Sequence, residues 1–293
     1  MVRGPEILNN ALNGRSWEEA VQWLREQPEQ RDLVVANYYD DPLCDAADRY
    51  WHSEEWQQIR SFLPPSSAGK ALDVGAGRGI ASFALAKEGF RVTALEPDGS
   101  ELVGAGAIRR LAHEQHLPIE VCNHPAEQLP FEDGSFAVVF ARAVLHHTRD
   151  LQETCRELYR ILERGGTFVA VREHVVSHER DLPRFFDSHP LHRHYGGENA
   201  FRLATYTDCI CTAGFRIERV LSPLRSPINF APHSIESLRR ELASRMSLGL
   251  PGIAGMWQRL LESRPFWAGV QPLLEIIDRR PGRLYSFIAR KPD

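Results

Sequence analysis

The stretch Lys70 to Ile80, Lys-Ala-Leu-Asp-Val-Gly-Ala-Gly-Arg-Gly-Ile, constrains this chain more than any other. Ala71, Leu72 and Val74 form a short apolar run bounded by loop signals, which predicts a parallel strand covered on both faces. Gly75, Gly77 and Gly79 follow at once. Glycine lets a backbone turn through positive φ and lets a ligand approach without a Cβ in the way. Ile80, Phe83, Ala84 and Lys87 then fall at helical spacing, and Gly89 closes that helix. A strand, a glycine turn and a helix in this order make a nucleotide-sized crevice at the carboxyl end of a parallel strand.

The spacing narrows the ligand. A dinucleotide fingerprint requires its third glycine at position 80, where Ile80 stands, and this disfavours a nicotinamide-dependent oxidoreductase. The pattern is instead Asp-x-Gly-x-Gly-x-Gly, with Asp73 two residues before Gly75. An acid there repels a pyrophosphate and attracts a cation. The stretch resembles motif I of the class I S-adenosylmethionine-dependent methyltransferases. That resemblance implies that Asp73, Gly75, Ala76, Gly77 and Gly79 surround the methionine part of the cofactor.

The resemblance continues almost without a break to residue 172. Phe90 to Leu95 reads as a second strand ending in Glu96-Pro97-Asp98, and Glu96 lies seventeen positions beyond Gly79. A carboxylate at that place can accept from both hydroxyls of a ribose, with Pro97 beside it. Residues 98–116 suit a helix, and Ile119–Cys122 a third strand. Next, His124-Pro125-Ala126-Glu127-Gln128-Leu129-Pro130-Phe131 is similar to the Asp-Ala-Glu-x-Leu-Pro-Phe segment of the large type 11 group. The family's Asp, which accepts from the adenine amino group, is Pro125 here. The resemblance therefore assigns the adenine edge to Pro125, the backbone of Ala126, and Glu127. Phe136 to Ala141 is the fourth strand and runs into Arg142-Ala143-Val144-Leu145-His146-His147, a family ending. Ala137 stands where the family often has Asp. Arg142 is placed to reach the cofactor carboxylate or an acceptor anion. Of the two histidines, one is expected buried and one flanking the site.

Asp150 and Glu153 make a capping pair for a helix striped by Leu151, Cys155, Leu158 and Leu162, which Gly165-Gly166 is expected to end. Thr167 to Val171 is the fifth strand. Beyond it the template thins. His174, His178, His189, His192 and His194 crowd residues 173–204, but no helical His pair and no Cys or acid pattern completes a ligand set, so no metal is expected. The better reading is a substrate-facing loop: Glu173 and His174 as candidate bases, with His147, His192, His194, Tyr195, Glu198 and Asn199 toward the acceptor.

Around this core, Ser16 and Glu19 form a capping box before an apolar face of Trp17, Ala20, Val21 and Leu24. A second helical stretch carries Tyr50, Trp51, Trp56 and Ile59 and ends at Leu63-Pro64-Pro65-Ser66-Ser67. Tyr206 to Ala213 is a short helix, Phe215 to Leu221 a strand, residues 232–280 two or three helices, and Arg283 to Arg290 a last strand. The expected architecture is an α/β doubly wound, seven-stranded, mostly parallel sheet with an antiparallel last strand. Residues 1–65 form a helical cap, 66–221 and 282–293 the core, and 222–281 a helical insertion.

Composition bounds the partners. At 43% hydrophobic and 25% charged residues, the chain is a globular one, and a net charge of −4 gives no reason to expect nucleic acid or an anionic membrane. Residues 222–293 carry 11 Lys/Arg against 6 Asp/Glu, which a solvated helix surface explains as simply as an anionic acceptor does. Cys44, Cys122, Cys155, Cys209 and Cys211 form no Cys-x-x-Cys pair, which suits reduced thiols in the cytoplasm. No membrane span or signal peptide is read, and a homodimer is compatible with the sequence. The function expected is methyl transfer from S-adenosylmethionine, leaving S-adenosylhomocysteine, to a small molecule. Oxygen methylation of a sugar or secondary metabolite stands first, with carbon, nitrogen or sulfur acceptors, or a non-catalytic cofactor-binding protein, as alternatives.

Overall fold

A computed structural model describes residues 15–65, 69–189, 191–247 and 251–293. Residues 1–14 of the expected cap and Ser66-Ser67 of the expected linker lie outside them.

Among the described residues, four α-helices precede the sheet: α1 (Trp17–Glu26), α2 (Arg31–Ala36), α3 (Leu43–Trp51) and α4 (Glu54–Arg60). The capping box of α1 forms in both directions, Ser16 Oγ accepting from Glu19 N–H and Glu19 Oε2 from Ser16 N–H. The single helix expected through Tyr50 and Ile59 is two. Ser53 takes an extended conformation and its hydroxyl accepts from Trp56 N–H, so a new N-cap interrupts the run.

The sheet then forms from β1 (Lys70–Val74), β2 (Arg91–Leu95), β3 (Ile119–Cys122), β4 (Phe136–Arg142), β5 (Leu162–Val176), β6 (Phe201–Arg202), β7 (Arg216–Leu221) and β8 (Arg283–Arg290). Seven strands lie in the order β3-β2-β1-β4-β5-β8-β7, and the two-residue β6 adds an eighth, parallel to the end of β5. β1 to β5 are parallel, and β8 runs antiparallel between β5 and β7, as expected. Between them run α5 (Ile80–Lys87), α6 (Ala105–Glu114), α7 (Leu151–Ile161), α8 (Leu182–Ser188), α9 (His192–Tyr195), α10 (Leu203–Thr212), α11 (Pro227–Phe230), α12 (Ile235–Met246), α13 (Pro251–Glu262) and α14 (Arg264–Ile277).

Strand alternation builds two cores. Leu72, Val74, Val139, Ala141, Phe168 and Ala170 face one side, against Cys155 and Leu158 of α7 and Ile210 of α10. Ala71, Val138, Phe140, Val169 and Val171 face the other, against Ala84 and Leu85 of α5 and Tyr50, Trp56 and Ile59 of the preamble. Helices α12 to α14 gather around Ala243, Leu261 and Trp267 as a separate cluster.

Three boundaries differ from expectation. Helix α6 begins at Ala105 because Ala105 and Gly106 N–H bond to the carbonyls of Asp98 and Ser100, so 98–104 is a turn. Helix α7 ends at Ile161, before Gly165-Gly166, because the glycine pair extends β5 instead: Gly165 N–H donates to Lys291 O, and Lys291 N–H to Gly166 O. At its other end β5 runs on through Glu173 and His174, paired with Tyr285 and Leu284 of β8. The expected substrate loop of 173–204 is therefore the end of a strand followed by α8, α9 and β6.

Candidate active site

The glycine turn sits at the carboxyl end of β1, and its glycines serve different ends. Gly75, Gly77 and Gly79 have φ of +61°, +54° and +82°. A Cβ on Gly75 would lie 2.7 Å from Val144, and one on Gly79 3.2 Å from Ile108. On Gly77 it would meet only Val103 O at 3.9 Å, so this is where the crevice stands open to a ligand. Glu96, at the end of β2, closes one side. Its Oε2 accepts from Gly77 N–H at 2.7 Å and its Oε1 from Asp98 N–H at 2.9 Å. Burial pushes its carboxyl up to about 7, although both amides pull down. Asp73 is enclosed behind the turn and accepts from Ser82 Oγ at 2.6 Å. Burial raises it to about 7, with Ser82 and Arg142 pulling down and Glu96 pushing up. Ala76 N–H is spent on Leu95 O, and Pro97 is exposed. Pro125 is exposed, Ala126 packs against the core, and Glu127 Oε1 takes Arg149 N–H at 2.9 Å.

Arg142 is held differently from the expectation of a free cation. Its Nε and Nη2 reach Glu55 Oε1 and Oε2 at 2.7 and 3.2 Å, and its guanidinium lies over the rings of Tyr38 and Tyr50. Arg172, at φ +61° in the bulge of β5, brings a second guanidinium to 3.9 Å from Glu55 and donates to Ile228 O and Ala231 O. Arg78 holds the preamble onto the glycine turn through Tyr38 O, Asp40 O and Asp41. Glu55, Arg78 and Arg172 carry no local pattern that marks them, because their partners lie far away along the chain.

On the other side of β4 the histidines converge. Ala143, at φ +56°, turns the chain after β4 so that the amides of Val144, Leu145 and His146 all point at Glu173. Glu173 Oε2 also bonds His146 Nδ1 at 2.7 Å. Glu173 is wholly buried and fully engaged, which makes it an anchor and corrects its reading as a free base. Burial works against charge on His146, but Glu173 and Glu198 outweigh it and raise its pKa to about 9. His147 Nδ1 bonds Gly197 O at 2.9 Å, and burial and His146 lower its pKa. His174 Nδ1 bonds Gly282 O at 3.1 Å, and its ring turns inward among His146, Phe185 and His189. Burial holds it well below the usual imidazole value. Glu198 accepts from Tyr195 Oη at 2.5 Å and lies 3.6 to 3.8 Å from His146, His147 and His189.

Two expected acceptor residues lie elsewhere. His194 packs its ring at a tilt on Trp23 of α1 and bonds Arg15, and His192 stacks on Phe186 with its Nδ1 buried and unpartnered. Asn199 is buried with its Oδ1 unpartnered. A surface hollow of about 510 Å³ lies along α1 between Arg15 and Leu102.

A strand order of 3-2-1-4-5-8-7, an antiparallel penultimate position and a glycine turn faced by an acid from β2 define a class I methyltransferase fold. Residues 72–170 match the family model described as a methyltransferase domain. The sarcosine/dimethylglycine N-methyltransferase of Halorhodospira halochloris is 33% identical over 141 residues, 47% of this chain and 49% of that protein. The chain thus spans about half the length of this curated relative. Other relatives are named a demethylmenaquinone methyltransferase, from Chlorobaculum tepidum (31% identical; 41% of this chain, 47% of that one), and a tRNA U34 carboxymethyltransferase, from Alcanivorax borkumensis (34%; 41% and 37%). A Haemonchus contortus N-methyltransferase in complex with S-adenosylhomocysteine shares the fold at TM-score 0.57 and 19% identity, over 95% of this chain and 61% of that one. Among the described residues, no helix is long and apolar enough to cross a membrane.

Proposed function

We propose that the chain transfers a methyl group from S-adenosylmethionine to a small-molecule acceptor, with a hydroxyl of a sugar or secondary metabolite as the first candidate. The observation that carries the reading is the Glu96 carboxylate, held by Gly77 N–H beside an open glycine turn, where a ribose diol would find an acceptor. The relatives act on a secondary amine, a quinone precursor and a tRNA by name, so the acceptor atom belongs to this proposal.

The cofactor supplies a methyl on a sulfonium, with a thioether as leaving group. The protein must bind it, align an acceptor with the C–S bond and keep water out. Glu96 holds the sugar, the turn at Gly75 to Gly79 the methionine end, and the backbone at Ala126 the adenine edge. A hydroxyl acceptor also needs its proton taken. His147 is the ring of the cluster best placed for that: 37% of its side chain is exposed, and giving Nδ1–H to Gly197 O leaves the Nε2 lone pair free to take the proton.

Calorimetry with S-adenosylmethionine, S-adenosylhomocysteine and NAD tests the binding half. The first two are expected to bind and NAD not. Glu96→Ala should weaken S-adenosylmethionine by roughly 10- to 100-fold, since hydrogen bonds to a charged group contribute about 1.5–3 kcal/mol. Binding of NAD alone would sink the proposal. Single-turnover methyl transfer over an acceptor panel then separates an enzyme from a non-catalytic binder. His147→Ala should slow transfer to a hydroxyl while leaving cofactor affinity as it was.

A further inference from the structure

We propose that His146, His174 and Glu198 form a binding site for a first-row divalent transition cation, with zinc as the type. The inference goes beyond methyl transfer and does not rest on it. The three residues come from three segments: the turn after β4, the end of β5 and the stretch between α9 and β6. One ligand atom from each lies within 4.8 Å of the others.

The spacing is the first argument. Glu198 Oε2 stands 3.6 Å from His146 Nε2 and 3.8 Å from the Nε2 atoms of His147 and His189. These separations are too long for hydrogen bonds. They are close to the edges of a tetrahedron around a cation with nitrogen and oxygen ligands at about 2.0–2.2 Å, which are roughly 3.3–3.6 Å. The His146 Nε2 to Glu198 Oε2 separation therefore stands at ligand-to-ligand spacing, and His174 brings a third ligand atom within 4.8 Å of both residues.

Ring orientation is the second argument. A histidine that ligates through one nitrogen usually donates its other N–H to a carboxylate or a carbonyl, which fixes the tautomer. His146 gives Nδ1 to Glu173 at 2.7 Å, and His174 gives Nδ1 to Gly282 O at 3.1 Å. Each leaves Nε2 for the centre. Glu173 is itself locked by three backbone amides, so the outer support of His146 is rigid. Tyr195 steadies the other oxygen of Glu198.

The donor set selects the metal. Imidazole with one carboxylate suits zinc, iron, cobalt, nickel or copper, and offers too few oxygens for calcium or magnesium. His146 and Glu198 are nearly inaccessible, while His147 beside them is partly open, so an ion would enter past His147 and keep a water in its fourth position. A protonated His146 shared between Glu173 and Glu198 is the competing account, but it gives no reason for His174, its Nδ1 spent on Gly282 O, to bring its ring against that of His146.

Untagged protein stripped with chelator should take up one equivalent of Zn²⁺ by calorimetry and elemental analysis. Co²⁺ in its place should give a visible ligand-field spectrum of a four- or five-coordinate site. His174→Ala and Glu198→Gln should each weaken Zn²⁺ by at least about tenfold. Because either variant could misfold, the Co²⁺ spectrum of the unaltered protein stands as an independent readout. No uptake of Zn²⁺ or Co²⁺ by the unaltered protein, or equal affinity in folded variants, would overturn the site. S-adenosylmethionine affinity measured on the same samples keeps this failure distinct from failure of the methyltransferase reading.

Discussion

A single residue position shows how closely the turn is fitted to its surroundings. Val144 fills the space over Gly75 and cannot retreat, because its own N–H is bonded to Glu173. Gly75→Ala should therefore cost about 1–2 kcal/mol for a left-handed side chain and about 1–3 kcal/mol for overpacking. Gly77→Ala carries the first cost without the second, since a Cβ there meets little protein. Thermal or urea unfolding should rank Gly75→Ala as the more destabilised, while calorimetry should find the cofactor lost from Gly77→Ala despite its better stability. Equal stability of the two variants would count against the assigned packing.

At the scale of elements, the preamble is docked onto the sheet by charge as well as by apolar area. Glu55 of α4 reaches the end of β4 through Arg142, and Trp51 and Trp56 both donate to Glu88 beyond α5. Glu55 is 1% exposed between two guanidinium groups. Glu55→Gln leaves those cations buried without a counter-charge, a change that costs about 3–5 kcal/mol where a buried pair is broken. Limited proteolysis of this variant should cut within α1 to α4 before the strands are touched. Simultaneous cleavage of cap and sheet would mean that the pair does not serve as the hinge of docking.

For the whole molecule, the acids behind the glycine turn set a pH dependence. Asp73 has a folded pKa of about 7 against an ordinary value of 3.8. Below the lower value both states are protonated and nothing is lost. Between the two, the unfolded chain sheds the proton while the folded chain keeps it, so stability falls as pH rises, by up to about 1.4 kcal/mol per pH unit for this group. Above pH 7 the loss levels off. Asp73→Asn removes the contribution. Its denaturation free energy should gain on that of the unaltered protein from pH 4 to 7, and parallel curves would refute the assignment.

Local patterns determined the strand order's raw material, the glycine turn and Glu96, since each rests on neighbours within a few residues: period-two apolar runs, a break at Gly75, an acid closing β2. Even there, the ends of α7 and β5 escaped, because β8, more than a hundred residues later, decides them by pairing with Gly165 and Glu173. The histidine cluster was invisible for the same reason. No spacing joins His146, His174 and Glu198 in sequence, and Glu173 passes for a base until three amides from another strand's end are seen to occupy it. Short-range periodicity fixes which segments fold. Contacts between distant segments decide which polar side chains are consumed in holding them together and which remain for chemistry.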